Sequence, residues 1–531
     1  MHPGYSYIAS KGTVSYFKGE SEAVYSLILR DHDGKARPKM VKMTNIDGKW
    51  KGVKVTEAFV EHIAGDSQKY AEDYWRSIEV REALLDELLG NFPEAPCFLD
   101  VMVNIDGYIH VAGDMVQVGR AGNNISQEFW RDLVEEHHIH HQNFEKTMGT
   151  LHGKFCGSEA DIYRLQQVGV FFDESSSGRT WQALQTREYL LPDEGSGNCY
   201  ARAYHTSGLD ICDAMTEGVR RMVEGCDCLQ GVQLAHSLAG GTGSGLTTLM
   251  LNSMQDFFNK TSGLLGPVLQ TFTLFTSELA SDILVEPYNA VLGLKGLVEC
   301  CDQVFPFDNH ALSSICQQIL QINVPRFQHM DDLVARVMSG ITCNLRFPGI
   351  VDADLRKMHT NLVPFPKTHF LITCTAPLSL TKTAPYRTYS ILELTQQMLQ
   401  PENCVVKCDT LRLDTGEHWR TSRFLPSFAT FRGKTEYLAT SEINDVLQRM
   451  PHTTVYDAHF PDWTPTCLSS CICTVPPAGK QFDQSVTYIT NCTAFHEVLE
   501  RIGDAWDKLY KAKAHLYIYE AEGMEIEEMG S

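Results

Sequence analysis

The segment of this chain best suited to chemistry on a bound group is the heptad Ala239-Gly-Gly-Thr-Gly-Ser-Gly245. It follows the strand-like run Leu229 to Leu238 and precedes LTTLMLNSMQDFF, whose pattern predicts a helix. Small residues at a strand–helix junction let backbone N–H groups converge on an anion, and the helix start adds unpaired amides and the positive end of its dipole. Thr242 and Ser244 add hydroxyl donors. No lysine follows the last glycine, as it would in a Walker-type P-loop, and the glycines miss the G-x-G-x-x-G spacing of a dinucleotide site. Phosphate held by backbone amides is the expectation, with a purely structural glycine turn as the plainer alternative.

Two other clusters carry ligand-type side chains. Cys467, Cys471 and Cys473 fall in CLSSCIC, with no second half at metal-ligand spacing, so buried strand thiols are expected. His137, His138, His140 and His141 fall in EEHHIHH at a polar helix end, which reads as solvated surface.

Behind these residues lie the elements that must position them. From about residue 111 to 300, short apolar runs alternate with helical patterns, the signature of a parallel sheet flanked by helices. After Asn309 come two helical segments, HALSSICQQIL and MDDLVARVMSGI, and from about 361 to 477 a second, more mixed α/β region. Phe495, Val498, Leu499, Ile502, Trp506 and Leu509 recur at helical spacing and predict a core-facing stripe on a helix from Thr493 to Lys513. The first 109 residues read as a separate unit. KMVKMTN and KWKGVKV flank an Asp47-Gly48 turn as a hairpin, and an amphipathic helix is expected over Asp73 to Leu89, its apolar face docked on a surface.

Of 531 residues, 45 are basic and 66 acidic, a net charge of -21, which disfavours nucleic acid and anionic membrane as partners. No apolar run approaches the roughly 18–20 residues of a membrane span. MHPGYSYIASKGT lacks the layout of a secretory signal, and the 17 scattered cysteines read as reduced thiols of a cytosolic protein.

From about His110 onward the chain resembles the tubulin family. CDCLQGVQLAHSLAGGTGSGL carries the resemblance over its whole length. VQVGRAGNNISQEFW resembles the first nucleotide loop and helix, SDILVEPYNAVL the loop under the sugar and phosphates, and FDNHAL the start of the guanine-binding helix. MSGITCNLRFPGIVDADLRKMHTNLVPFP, YRTYSILELTQQM and VPPAGKQFDQSVTYITNCTAF match later blocks in order. The implied fold is α/β: a GTP-binding doubly wound sheet, a core helix, a second α/β domain and C-terminal helices. The implied divisions are an extension over 1–109, a GTP-binding domain over 110–325, a core helix and lateral-contact domain over 326–480, and a shortened helical region over 481–531.

The resemblance assigns GTP or GDP phosphate contacts to Gly240, Gly241, Thr242, Gly243, Ser244 and Gly245, and to Asn198 in the Gly195-Ser-Gly-Asn198 loop. It places Asp282 and Glu286 where the family contacts the ribose or shapes the loop beneath it, Asn309 on the guanine and Phe327 stacked on the base. Arg120 and Ala121 replace the family's Gln-Cys pair near the phosphates, and Asp331 replaces a second guanine-reading Asn. Asp173 matches a carboxylate near Mg2+, while the next acidic position reads Ser175, with Glu174 displaced by one. Tyr386 and Arg387 match the lateral-contact loop. Lys357 stands where the alpha type carries the glutamate that activates water for the neighbouring subunit's GTP, as in the beta type. The chain is thus expected to bind an alpha-type tubulin as a heterodimer, contact neighbouring protofilament subunits, and reside with microtubules in the cytoplasm. The alternatives are a non-polymerising tubulin-fold regulator that caps or sequesters tubulin, and an unrelated nucleotide enzyme disfavoured by the glycine spacing. The chain stops at Ser531, short of the family's last exterior helix and acidic tail.

Overall fold

The structure, a computed structural model, describes residues 10–17, 22–30, 36–46, 49–54, 111–140, 152–156, 164–165, 167–174, 180–183, 196–224, 228–262, 266–276, 283–347, 354–378, 389–413, 421–434, 438–453, 456–461, 468–478, 483–525 and 529. The chain divides into two compact units, one of residues 1–109 with 175–178 and one of 110–174 with 179–531. In the smaller unit β1 (Ser10–Phe17), β2 (Glu22–Arg30), β3 (Ala36–Ile46) and β4 (Lys49–Lys54) form an antiparallel meander. Ile46 pairs with Lys49, as the expected hairpin requires, while its turn residues Asp47 and Gly48 lie outside the described residues. The helix expected over Asp73 to Leu89 lies outside the described residues.

The larger unit opens with β5 (Val111–Gln117) and α1 (Gly119–Glu136). Ile125, Phe129, Trp130 and Leu133 recur on one face of α1 and are buried. A small antiparallel sheet follows, built from β6 (Ile139–His140), β7 (His152–Phe155), β8 (Phe172–Glu174) and β9 (Thr180–Ala183). Then α2 (Ser207–Glu224), β10 (Cys228–Ser237), α3 (Thr247–Ser262), β11 (Val268–Phe275), α4 (Glu286–Cys300), β12 (Gln303–Asp308) and α5 (Asn309–Ser314) alternate as the sequence implied. The four long strands form one parallel sheet in the order β12-β11-β10-β5.

Next comes α6 (Phe327–Arg346), the core helix, whose residues from Val337 to Arg346 are all buried. It lies against α1 and against the second sheet. α7 (Leu355–Leu362) and β13 (Ile372–Ala376) follow, with α8 (Ile391–Met398), β14 (Phe424–Gly433), α9 (Thr440–Arg449), β15 (Leu468–Cys473) and β16 (Gln484–Cys492). The second sheet has the order β13-β16-β14-β15. β16 therefore sits inside that sheet although it begins beyond residue 480, where a helical region was expected. The chain continues through α10 (His496–Lys511) and α11 (Leu516–Ala521). On α10, Val498 and Ile502 are buried as the stripe required, but Leu499 is 37% exposed and lies off the core face.

Behind α1 a buried ion cluster ties three elements together. Glu136 accepts from Arg346 of α6 at 2.7 Å and pairs with Arg432 of β14 at 2.9 Å. Ser339 and the Ala478 amide also donate to its carboxylate. Burial alone would raise this carboxyl, but the Arg432 and Arg346 guanidiniums outweigh it and hold it at about 2. The adjacent His137 is fully buried, not solvated as its polar neighbours suggested. Its Nδ1–H donates to the Arg164 carbonyl at 2.7 Å and its ring stacks on Phe347. Burial, reinforced by Arg346, pushes its pKa down to about 3, so it is neutral. Cys471 and Cys473 are buried strand thiols, as expected. No group of three or more His, Cys, Asp or Glu poised to hold a metal occurs among the described residues.

Candidate functional site

Each of the four parallel strands ends at the same edge of its sheet, and at each end the chain turns towards a helix. Arg120 and Ala121 lie in the first turn of α1, just after β5. The glycine heptad follows β10, Glu286 opens α4 after β11, and Asn309 opens α5 after β12. Carboxyl ends of parallel strands are where open α/β sheets bind ligands, because helix starts and loops converge there. Three inter-strand steps of about 4.8 Å separate β12 from β5, roughly 14 Å, the span of a nucleotide laid along the edge.

The heptad is less of a loop than its composition implied. Helical geometry begins at Gly241 and runs through a wide turn, Thr242–Leu246, into α3. Ser244 N–H donates to the Gly240 carbonyl at 3.1 Å, so the amides before Ser244 are the first-turn donors that a helix leaves without intrahelical acceptors. The glycines answer to protein packing. A Cβ on Gly241 would lie 2.3 Å from the Cys199 carbonyl oxygen, one on Gly243 2.2 Å from that of Ser237, and one on Gly245 2.5 Å from that of Tyr200. Gly240 alone has room, with its nearest neighbour Asn198 Oδ1 at 3.8 Å. The hydroxyls are also turned inward. Ser244 is buried and donates to the Gly240 carbonyl at 2.7 Å, and Thr242 donates to Ser196 Oγ at 2.9 Å. Both shape the cradle instead of lining it with free donors.

Two residues that the sequence reading did not single out hold this arrangement. Asn289 of α4 is fully buried, and its Nδ2 donates to the carbonyls of Asn198 at 2.7 Å and Ala239 at 3.0 Å. Its Oδ1 accepts from the Tyr200 amide and the Tyr519 hydroxyl. One amide thereby ties the 196–198 turn to the start of the glycine segment. That turn carries Gly197 and Asn198 in the left-handed region, φ 56° and 58°, which leaves both exposed at the edge. His236 of β10 is the second. A carbonyl only accepts, so its Nδ1 carries the proton given to Gly243 O at 2.9 Å, and Nε2 accepts from Thr273 at 2.9 Å. Burial lowers its pKa to about 4, which keeps that tautomer neutral. The signal for Asn289 was its place in EPYN, inside a segment already matched to the site. His236 had no local signal, since its partners are 7 and 37 residues away.

At the β12 end, Asp308 accepts from the His310 amide and from Arg501, fixing the start of α5 and hence Asn309. α6 packs beside α5. At its start Phe327 is 67% exposed, and Asp331, four residues on, shares its face. Burial, with Asp332 adding to it, raises the Asp331 carboxyl to about 6. The edge thus has a phosphate-type cradle at β10 and an aromatic ring with polar side chains at β12. Glu286 is buried at the start of α4, between these ends. Asp173 lies on β8 of the small sheet. Asp282, Tyr386 and Arg387 lie outside the described residues.

Lys357 stands apart from the rest. It is exposed on α7, where Leu355 N–H donates to Gln230 Oε1 at 3.4 Å, and a Cβ on Gly231 would meet the Leu355 side chain. Gln230 and Gly231 are near the amino end of β10, and the heptad follows its carboxyl end. Six residues of strand separate Gly231 from Ser237, about 20 Å. Lys357 therefore belongs to the opposite pole of the sheet.

Known proteins bear on this geometry. Residues 114–317 match the Tubulin/FtsZ family GTPase domain, and residues 366–504 match the tubulin C-terminal domain. The chain is 34% identical over 432 residues to the tubulin beta chain of Trichophyton rubrum, an alignment covering 77% of this chain and 89% of that protein. It is 34% identical over 432 residues to the tubulin beta chain of Saccharomyces cerevisiae, covering 77% and 87%. No helix among the described residues is long and apolar enough to cross a membrane. A parallel sheet with a backbone-amide cradle at its carboxyl edge, a core helix and a second mixed sheet, matched domain by domain, place this chain in the tubulin family of GTP-binding cytoskeletal proteins.

Proposed function

We propose that this chain is a beta-type structural subunit that binds GTP along the carboxyl edge of its parallel sheet and pairs head to tail with an alpha-type tubulin. The observation that carries this reading is polarity: the candidate nucleotide residues gather at one edge, and Lys357 occupies the other pole. In a head-to-tail stack, the α7 pole of one subunit meets the nucleotide edge of the next. A protonated lysine cannot take a proton from water, so this chain's α7 cannot supply a general base to its neighbour. An alpha-type partner, bringing a carboxylate on the matching segment, completes hydrolysis of the GTP held here.

In this reading the amides of Gly240 to Gly243 hold the phosphates, with Asn198 beside them. Arg120 and Ala121 border the same end, Glu286 the sugar, and Asn309, Asp331 and Phe327 the base. A carboxylate at Asp331 accepts from the two donors of guanine's N1 and N2, which adenine lacks. Mg2+ keeps several waters and needs only one or two protein carboxylates beside phosphate oxygens. Asp173 is the single candidate, too few for a protein-built site, and no step is derived through the metal. Cytoskeletal residence follows from the polymer role.

Extraction of nucleotide from purified protein tests the site, and guanine nucleotide is the expected yield; adenine nucleotide would overturn it. Co-assembly with alpha-tubulin, followed by sedimentation, separates a polymer subunit from the regulator. Entry into pelleted polymer supports the first, and inhibition of assembly without entry supports the second.

A further inference from the structure

Cys374 of β13, the outermost strand of the second sheet on that side, and Cys404 face each other across an isolated antiparallel bridge. Val405 N–H donates to the Thr373 carbonyl at 3.1 Å, one residue outside the pair on each strand, which makes Cys374 and Cys404 a non-hydrogen-bonded pair. Such pairs hold their Cα atoms about 4.5 Å apart with side chains on the same face. Disulfides form at Cα separations of roughly 4.4–6.8 Å, so the backbone needs little movement to accept one. Both thiols are buried, yet Cys404 also lines a cavity of about 520 Å³ between α5, the 401–409 segment and α10.

We propose that Cys374 and Cys404 are an oxidisable dithiol, closed to a disulfide by a small two-electron oxidant of the peroxide class that reaches Cys404 through this cavity. The step balances with hydrogen peroxide alone. Cys404 sulfur, deprotonated, attacks one peroxide oxygen; the O–O bond breaks and the departing oxygen takes protons to leave as water. The sulfenic acid so formed is attacked by Cys374 sulfur, the S–O bond breaks, and a second water leaves. Two thiols lose two electrons and two protons, and one peroxide is reduced to two waters. The thiolate is the attacking form, and the Cys374 contact and burial push the Cys404 thiol well up, so closure is slow at neutral pH and faster in alkali. The titratable and charged side chains around this thiol are Glu402, Lys407 and Asp409 on its own segment, His310 across the cavity, and Glu497 and Arg501 of α10. The proposal is independent of the nucleotide reading.

Peroxide titration of the purified full chain, carried until the exposed Cys156 is oxidised, followed by non-reducing peptide mapping, tests it. The expected product is the Cys374 peptide joined to the Cys404 peptide, two hydrogens lighter than the pair, forming faster as pH rises. Cys374→Ala should abolish that species and leave a sulfenic acid at Cys404 for dimedone to trap. Recovery of both cysteines as free thiols when the titration is continued beyond that endpoint in alkali, or linkage of Cys404 to Cys408 or Cys492 instead, overturns the proposal.

Discussion

At the scale of single residues, Asp331 sets the sharpest expectation. Its carboxyl, raised to about 6 by burial and Asp332, is ionised at neutral pH; as pH falls through that value one oxygen becomes a donor and only the other accepts well. Guanine's donors favour the ionised form, so guanine affinity should be complete above about pH 6 and weaken below it, by at most roughly tenfold per pH unit. Asp331→Asn should flatten the profile, which calorimetric titration with GDP across pH would read. A flat profile for the unaltered protein would remove Asp331 from the base site. The pKa could not be read in the sequence, because burial by the surrounding fold causes it.

Among elements, the glycine segment and the α1–α6–β14 cluster make separate claims. The resemblance assigns Gly243 a phosphate contact, but a Cβ there would already strike the Ser237 carbonyl. Gly243→Ala should therefore destabilise the protein without nucleotide as well as weaken binding, with an overpacking cost of about 1–3 kcal/mol. Denaturant unfolding of nucleotide-free protein checks this, and unchanged stability with lost binding would return the glycine to the ligand. Glu136→Gln leaves two buried guanidiniums facing a neutral amide and should cost about 3–5 kcal/mol. The ionised Glu136 has a depressed pKa, so its contribution is present above about pH 4.5 and disappears as pH falls towards 2. Unfolding midpoints of the two proteins should thus converge in acid. Local pattern made α3 and α6 legible, the resemblance supplied α1, and the start of α4 was read only as a loop, because apolar and buried residues surround that helix on most sides. Local pattern could not show that Glu136, Arg346 and Arg432 meet, because both arginines lie 210 residues or more from Glu136. His137 was misread for the same reason: its sequence neighbours are polar, and the rings and carbonyl that enclose it are distant.

For the molecule as a whole, two poles imply a division of labour between subunits. The isolated chain should turn GTP over negligibly, and an alpha-type partner should raise the rate. Lys357→Glu should give self-assembled chains a measurable rate where the native lysine gives none. Phosphate release by each protein alone and in mixture measures this; robust turnover by isolated monomer contradicts it. The order of the elements and the place of the glycine segment between β10 and α3 were readable because they are contiguous. The polarity was not, because it depends on which end of β10 receives α7.

The segment from Cys404 to Val406 is also a mechanical part. Val405 accepts from Asp308 at the end of the nucleotide-edge sheet and donates to Thr373 in β13 of the other sheet, while Val304 N–H donates to His369 and Leu371 N–H to Val304. Stiff hydrogen bonds therefore span the gap between the two sheets within one residue of Asn309. A displacement of Asn309 on binding a base would pull on β13 as a lever pulls on a rod, without passing through α6. Amide exchange at Asp308 and Val405 should slow together when nucleotide binds, whereas exchange that changes at Asp308 alone would show the rod to be slack.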